Sequence, residues 1–135
     1  MSASELEYRS AGAQDYEAVR RFLCEVGWQR RVGDAERFRR IVEGAQRTVV
    51  AFDGGRVVGF ARALCDGVSN GYISTVAVAV DMRGRGVGRE LVRRLVGEDA
   101  GITWVLRAGH GSEGFWRRMG FEVSEVSMER VRATD

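Results

Sequence analysis

The spacing of apolar residues along this chain changes period several times, and each change predicts an element. Residues 5–10 alternate, with Leu6 and Tyr8 between charged neighbours, which predicts a short strand. From Asp15, a residue type that caps helices, Tyr16, Val19, Phe22, Leu23 and Val26 recur at helical spacing until Gly27. Asp34 opens a second helix carrying Phe38, Ile41 and Val42, closed by Gly44. Residues 48–52 and 57–64 read as strands joined through Asp53-Gly54-Gly55, a hairpin signal, with Gly59 placed at a bulge. After a loop at 66–71, residues 72–80 form an apolar run rich in β-branched side chains, and therefore a strand. A helix follows over 86–96, where Leu91, Val92, Leu95 and Val96 share a face. Then come a strand at 102–107, a loop at 108–111, a helix from about Ser112 to Met119, and a last strand over 121–131.

Three consecutive hairpin-linked strands imply antiparallel pairing, and the crossover through 86–96 implies a parallel pair. The expected fold class is therefore α/β of the mixed α+β kind: a central, mostly antiparallel sheet with helices on both faces. Residues 1–135 carry no linker, repeat or low-complexity break, so one domain is expected.

Composition narrows the function classes. Hydrophobic residues make up 44% and charged residues 30%, an ordinary balance for a soluble domain. There is no apolar run long enough for a bilayer and no basic-then-apolar leader at the N-terminus, so a cytoplasmic protein with no membrane partner is expected. A net charge of +2 and the lack of a long basic block with interleaved aromatics argue against a nucleic-acid partner. All 21 basic residues are arginine, which removes lysine as a base or Schiff-base nucleophile. Cys24 and Cys65 are isolated, and the one histidine has no partner histidine or C-x-x-C nearby, so no metal is expected.

The candidate chemistry lies at Arg83-Gly84-Arg85-Gly86-Val87-Gly88, between the strand at 72–80 and the helix at 86–96. Strand, glycine turn, helix start is a recipe for an anion site: free N–H groups and the positive end of the helix dipole converge on one spot. Glycines let a phosphate approach the backbone, and Arg83 and Arg85 add forked donors. A Walker loop is excluded because it requires lysine. A dinucleotide fingerprint fails because Arg89 occupies the third glycine position and the turn lies late in the chain. A plain, solvated strand–helix connection is the bland alternative.

The pattern R-x-x-G-x-G, here Arg83, Gly86 and Gly88 after a valine-rich strand, resembles the acetyl-CoA pyrophosphate loop of the GNAT superfamily of N-acetyltransferases. Downstream, Gly114-Phe115-Trp116-Arg117-Arg118-Met119-Gly120-Phe121-Glu122 resembles that family's late F-Y-x-x-x-G-F-E segment. Together the likeness runs over about residues 5–131, in the family's order of elements. It implies a GNAT-like fold in which the parallel strands at 72–80 and 102–107 splay to admit coenzyme A. It also implies acetyl transfer from acetyl-CoA to a primary amine of a small molecule or peptide, and pairing of two copies through exposed sheet edges.

On that resemblance, Arg83, Gly84, Arg85, Gly86, Val87 and Gly88 hold the pyrophosphate. The strand edge at Val76, Ala77 and Val78 bonds the pantetheine arm, with the Val78 N–H as oxyanion donor. Family members often carry an acidic base where this chain has Ser74 and Thr75, so a more remote group is needed: His110, Glu113 and Asp66 are the candidates. Trp116 stands where the family places a tyrosine acid. An indole N–H can donate a hydrogen bond but is no useful acid, and Trp116 is equally well a core aromatic. Tyr72 is a substitute acid only if the strand geometry allows. Trp28, Gln29, Arg30 and Arg31 fall where the family walls its acceptor, a composition that suits an amine carrying a carboxylate or merely covers a surface. The missing acidic base and tyrosine keep a second function open, a non-catalytic CoA-binding regulatory module.

Overall fold

Five strands pair in sequence order: β1 (Glu7–Arg9), β2 (Arg47–Asp53), β3 (Arg56–Cys65), β4 (Asn70–Val78) and β5 (Thr103–Leu106). The first four run antiparallel to their neighbours, and β4 and β5 run parallel. This computed structural model describes residues 5–133. The Asp53–Arg56 pair closes the predicted hairpin, with Gly54 at φ +62° making the tight turn.

Alternation along β3 assigns the helices to faces. Phe60 stacks edge-on against Phe38 of α3 (Ala35–Glu43), with ring centroids 6.3 Å apart. Its neighbour Gly59 faces α4 (Val87–Val96), where a Cβ would lie 3.0 Å from Leu91 Cδ1 and 3.2 Å from Val87 Cγ1. So α1 (Tyr16–Glu25), the short α2 (Gln29–Val32) and α3 cover one face and α4 covers the other, as expected. Leu23, Val50, Val58, Phe60, Leu91 and Leu95 are fully buried between these layers. A last helix, α5 (Glu113–Arg118), follows β5.

The polar ends of these elements are tied down by side chains. Asp34 caps α3 by accepting the Arg37 N–H at 2.8 Å. Asp15 stands at the start of α1, but its carboxylate turns back instead of capping it. It accepts the Gly12 N–H at 2.8 Å and the Arg9 guanidinium at 2.6 and 3.0 Å, clasping β1 to the turn before α1. Arg47 of β2 donates to the Leu95 and Val96 carbonyls at 3.0 and 3.1 Å, satisfying the C-terminal end of α4.

Three expectations are corrected. The strand expected over 72–80 ends at Val78, and Val80–Met82 is a 3₁₀ turn. The bulge in β3 falls at Val58, one residue before Gly59, whose missing side chain serves helix packing instead. Residues 121–131 form no strand. After Phe121, which packs on Trp116, their apolar residues find no apolar surface, since Val123, Val126, Met128 and Val131 are all exposed. The segment lies beside β5 and is held there by an Arg107–Glu129 ion pair, without a backbone ladder. Among the described residues, no helix is long and apolar enough to cross a membrane.

Candidate functional site

β4 is two strands in one. Asn70, Gly71, Tyr72 and Ile73 pair with Thr103 to Leu106 of β5, and pairing on that side stops there. The register with β3 jumps at the same place: Ala63 opposes Ile73 and Arg62 opposes Thr75, leaving Ser74 as an unpaired bulge. A bulge bends its strand and re-aims its side chain, so β4 leaves β5 where Ser74 intervenes. Beyond it, antiparallel alternation fixes the backbone directions. The Ala79 N–H donates to Val58 O at 2.9 Å, so Ala77 and Thr75 also face β3, while the N–H and C=O of Val76 and Val78 face the open side. The Val78 carbonyl there accepts Arg83 Nε at 3.2 Å.

The turn after β4 leads to the start of α4. Gly86 occupies the cap position at φ +87° and Gly84 lies at φ +77°, both left-handed conformations that exclude most side chains. Gly86 has no side chain to cap the helix, and the first backbone bond of α4 runs from Glu90 N–H to Gly86 O at 3.0 Å. The N–H groups of Val87, Gly88 and Arg89 are therefore left over. A Cβ on Gly88 would press against Phe115 at 3.3 Å, so glycine also keeps this helix end close to α5. These orphan donors, glycines and flanking arginines fit a diphosphate.

Three cavities join into one groove through shared walls. The first, about 670 Å³, is bounded by the Arg83–Arg89 turn, Val76 to Val78 and Phe115. The second, about 590 Å³, lies in the gap between β4 and β5 and shares Val76, His110, Ser112 and Phe115 with the first. The third, about 340 Å³, continues under α2 and α3 and shares Ser74, Thr75 and Arg31 with the second. Trp28 borders all three. No Asp or Glu lines any of them among the described residues.

The residues singled out from the sequence divide accordingly. Val76, Ala77, Val78, Arg83, Gly84, Gly86, Val87 and Gly88 border the first cavity, and Arg85 belongs to the same turn but does not line it. His110 borders both the first and the second. Trp116 is buried, edge-on to Phe115 and Phe121 with centroids 5.0 and 5.3 Å away, and forms part of the wall of the gap. Tyr72, Ser74 and Thr75 line the gap as well. Glu113 is absent from these walls and pairs with Arg117 at 2.8 Å. Asp66 caps its own loop by accepting the Val68, Ser69 and Asn70 N–H groups, which hold its carboxyl well below the usual range. Sequence reasoning missed Arg62 and the Ser74 bulge. Arg62 is half-buried in the third cavity and donates to Ser74 Oγ at 2.7 Å. The available signal was an arginine inside the apolar strand at 57–64.

Known proteins resemble this chain in both sequence and fold. A family model described as an acetyltransferase (GNAT) domain matches residues 44–123. Serotonin N-acetyltransferase 2, chloroplastic, of Oryza sativa subsp. japonica is 34% identical over 120 residues, covering 84% of this chain. The chain spans 59% of the length of that relative. A GNAT family acetyltransferase from Streptococcus pneumoniae TIGR4 superposes with a TM-score of 0.75 at 22% identity, over 95% of this chain and 98% of that one. AAC(6')-Iy, solved in complex with the bisubstrate analog CoA-S-monomethyl-acetylneamine, superposes with a TM-score of 0.73 at 20% identity, over 95% of this chain and 99% of its own. The two solved structures speak to the fold. The family model takes in the hairpin, the splayed strand, the glycine turn and α5, and on that match the chain belongs to the GNAT acetyltransferase family.

Proposed function

We propose that this chain, acting as one domain, transfers an acetyl group from acetyl-CoA to a primary amine of a small molecule or peptide. The observation that carries the proposal is the alignment, along one groove, of orphan N–H groups at the α4 N-terminus with the unpaired edge of β4. One end suits a diphosphate, and the other suits an arm rich in amides that bonds like an added strand.

When bound, acetyl-CoA supplies an electrophilic thioester. The chain's own groups do the rest by placement. The N–H groups of Val87, Gly88 and Arg89 and the guanidinium of Arg83 hold the phosphates. Val76 offers its N–H and C=O to the arm, and the Val78 N–H stabilises charge on the carbonyl oxygen. Trp28, Phe115 and Trp116 wall the gap and exclude water. The amine attacks the carbonyl carbon as its neutral form, the C–S bond breaks, the nitrogen gives up a proton, and the thiolate takes one. With no carboxylate on the walls, that proton passes to His110 or to water; Glu113 and Asp66 are not carried forward as bases. An unscreened positive field also disfavours an ammonium ion, so the groove selects the neutral amine without a dedicated base.

The same lack of carboxylates favours the second reading, a CoA-binding module. Calorimetry with CoA, followed by thiol release from acetyl-CoA over a panel of amines, separates the two. Binding with turnover supports the enzyme; binding with no turnover on any amine supports the module; no binding overturns both.

A further inference from the structure

Many surface arginines are paired, Arg20 and Arg21 with Glu17, Arg39 with Glu36 and Glu43, Arg56 with Asp81, while others such as exposed Arg40, Arg85 and Arg89 form no ion pair among the described residues. The third cavity gathers arginines of the second kind. Arg30, Arg31, Arg37, Arg62 and Arg132 line it, no acidic residue does, and none of the five forms an ion pair among the described residues. Arg62 is the telling member. It rises from the middle of β3, half-buried beside Phe60, and its hydrogen bond to Ser74 Oγ uses one of five N–H donors. Arg62 lines a cavity whose walls include Trp28, Phe38 and Phe60. Burial pushes the guanidinium below its usual pKa, the mark of a charge removed from water without a counter-ion.

The cofactor does not account for these cations. Arg83, Arg89 and Arg118 border the cavity at the α4 turn, whereas Arg30, Arg37 and Arg62 border only the cavity beyond Trp28. The phosphates have their own arginines at the other end of the groove. Keeping the reacting nitrogen uncharged needs only a positive field, not a half-buried forked guanidinium, whereas an anionic group elsewhere on the acceptor would use one.

We infer that the acceptor is an amine that also carries a carboxylate or phosphate, and that Arg62, oriented by Ser74, is the residue that recognises this group. The inference rests on the acetyl-transfer reading above. The fork of a guanidinium matches two oxygens of such a group, and the rim arginines Arg30, Arg31, Arg37 and Arg132 add a field that draws it in. The bulge that opens the β4 gap also points Ser74 at Arg62, so one irregularity serves both the cofactor arm and the acceptor.

The test uses CoA-loaded protein and matched pairs: phenylalanine against phenylalaninamide, 3-aminopropionate against its amide, and O-phosphoethanolamine against ethanolamine. Calorimetry reads binding, and thiol release from acetyl-CoA reads turnover. At least one acid should bind about tenfold or more tightly than its partner without the anionic group, and the pairs report whether carboxylate or phosphate is preferred. Arg62→Met should bring that ratio close to one, with retained CoA binding as the check on folding. Arg62→Lys, which keeps the charge and loses the fork, should fall between. Equal binding of the acid and its partner without the anionic group in every wild-type pair overturns the inference, as does a ratio that survives Arg62→Met. If Arg62→Met does not fold, the wild-type pairs and Arg62→Lys decide. Acid-selective binding with no thiol release from any amine would instead remove the acetyl-transfer reading and leave an anion pocket in a binding module.

Discussion

The two halves of β4 belong to one strand and do opposite things. From Asn70 to Ile73 the strand is bonded on both edges and contributes structure. From Thr75 to Val78 it is bonded on one edge and presents the other to a groove. The side chains differ, Asn, Gly, Tyr and Ile in the first half and Thr, Val, Ala and Val in the second, but they do not assign the open edge. Backbone direction does. A bulge at Ser74 ends the pairing with β5, and the donors and acceptors thus released become available to a ligand. In a sheet, a site can be built by subtracting hydrogen bonds from a ladder.

Proline substitutions at adjacent positions probe that difference most sharply. Ala77→Pro removes an N–H that faces β3 and should destabilise the fold by about 3 kcal/mol or more, read by denaturant unfolding. Val78→Pro removes an N–H that faces the groove, so the fold should persist while turnover drops roughly 10²- to 10³-fold. Equal destabilisation by the two would break the comparison. Gly86→Val should abolish measurable CoA binding by calorimetry, because a β-branched residue resists the left-handed conformation at a cost of about 1–2 kcal/mol and crowds the orphan donors. Tight binding to that variant would show that the α4 start is an ordinary connection.

A residue remote from β4 should change stability alone. Asp15→Asn breaks the clasp to Arg9 and should cost about 1–3 kcal/mol without altering CoA affinity. Arg9 and then Gly12 hold the Asp15 carboxyl below its ordinary value of 3.8. The unfolded chain therefore binds the extra proton as pH falls, and the contribution is full above that value and lost below it. The gap between wild type and Asp15→Asn should thus be constant near neutrality and close progressively below about pH 4. The smallest effect is expected of Arg83→Ala. It is exposed and one donor among several, so CoA affinity should weaken about tenfold or less, and less still at high salt.

Much of this molecule could be read from its sequence because local and global signals agree. Asp34 caps where a cap was expected, the Asp53-Gly54-Gly55 turn closes its hairpin, and the glycines at 84 and 86 take left-handed conformations before α4. What escaped depends on partners distant in the chain. Residues 121–131 alternate as a strand should, yet alternation shows only which face a segment prefers, and β5 offers no ladder to this one. Asp15 has the identity of a helix cap, but Arg9 competes for its carboxylate and wins with two charged bonds. Arg62, an arginine within the apolar run at 57–64, gains its setting only from the distant residues of α2 and α3 that line the same cavity. Glu113 is near the groove in sequence, but one helical turn carries it to Arg117.

Gly59 sits on β3 and lines none of the three cavities, yet it bears on the groove through Val87. Leu91 and Val87 settle into the space its absent methyl leaves, and this lowers α4 onto the sheet. The N-terminal end of that helix is the floor on which a phosphate would rest. The height of this floor above the strands is thus inherited from a vacancy in the protein interior, and any side chain there would raise the binding surface without altering one residue of it.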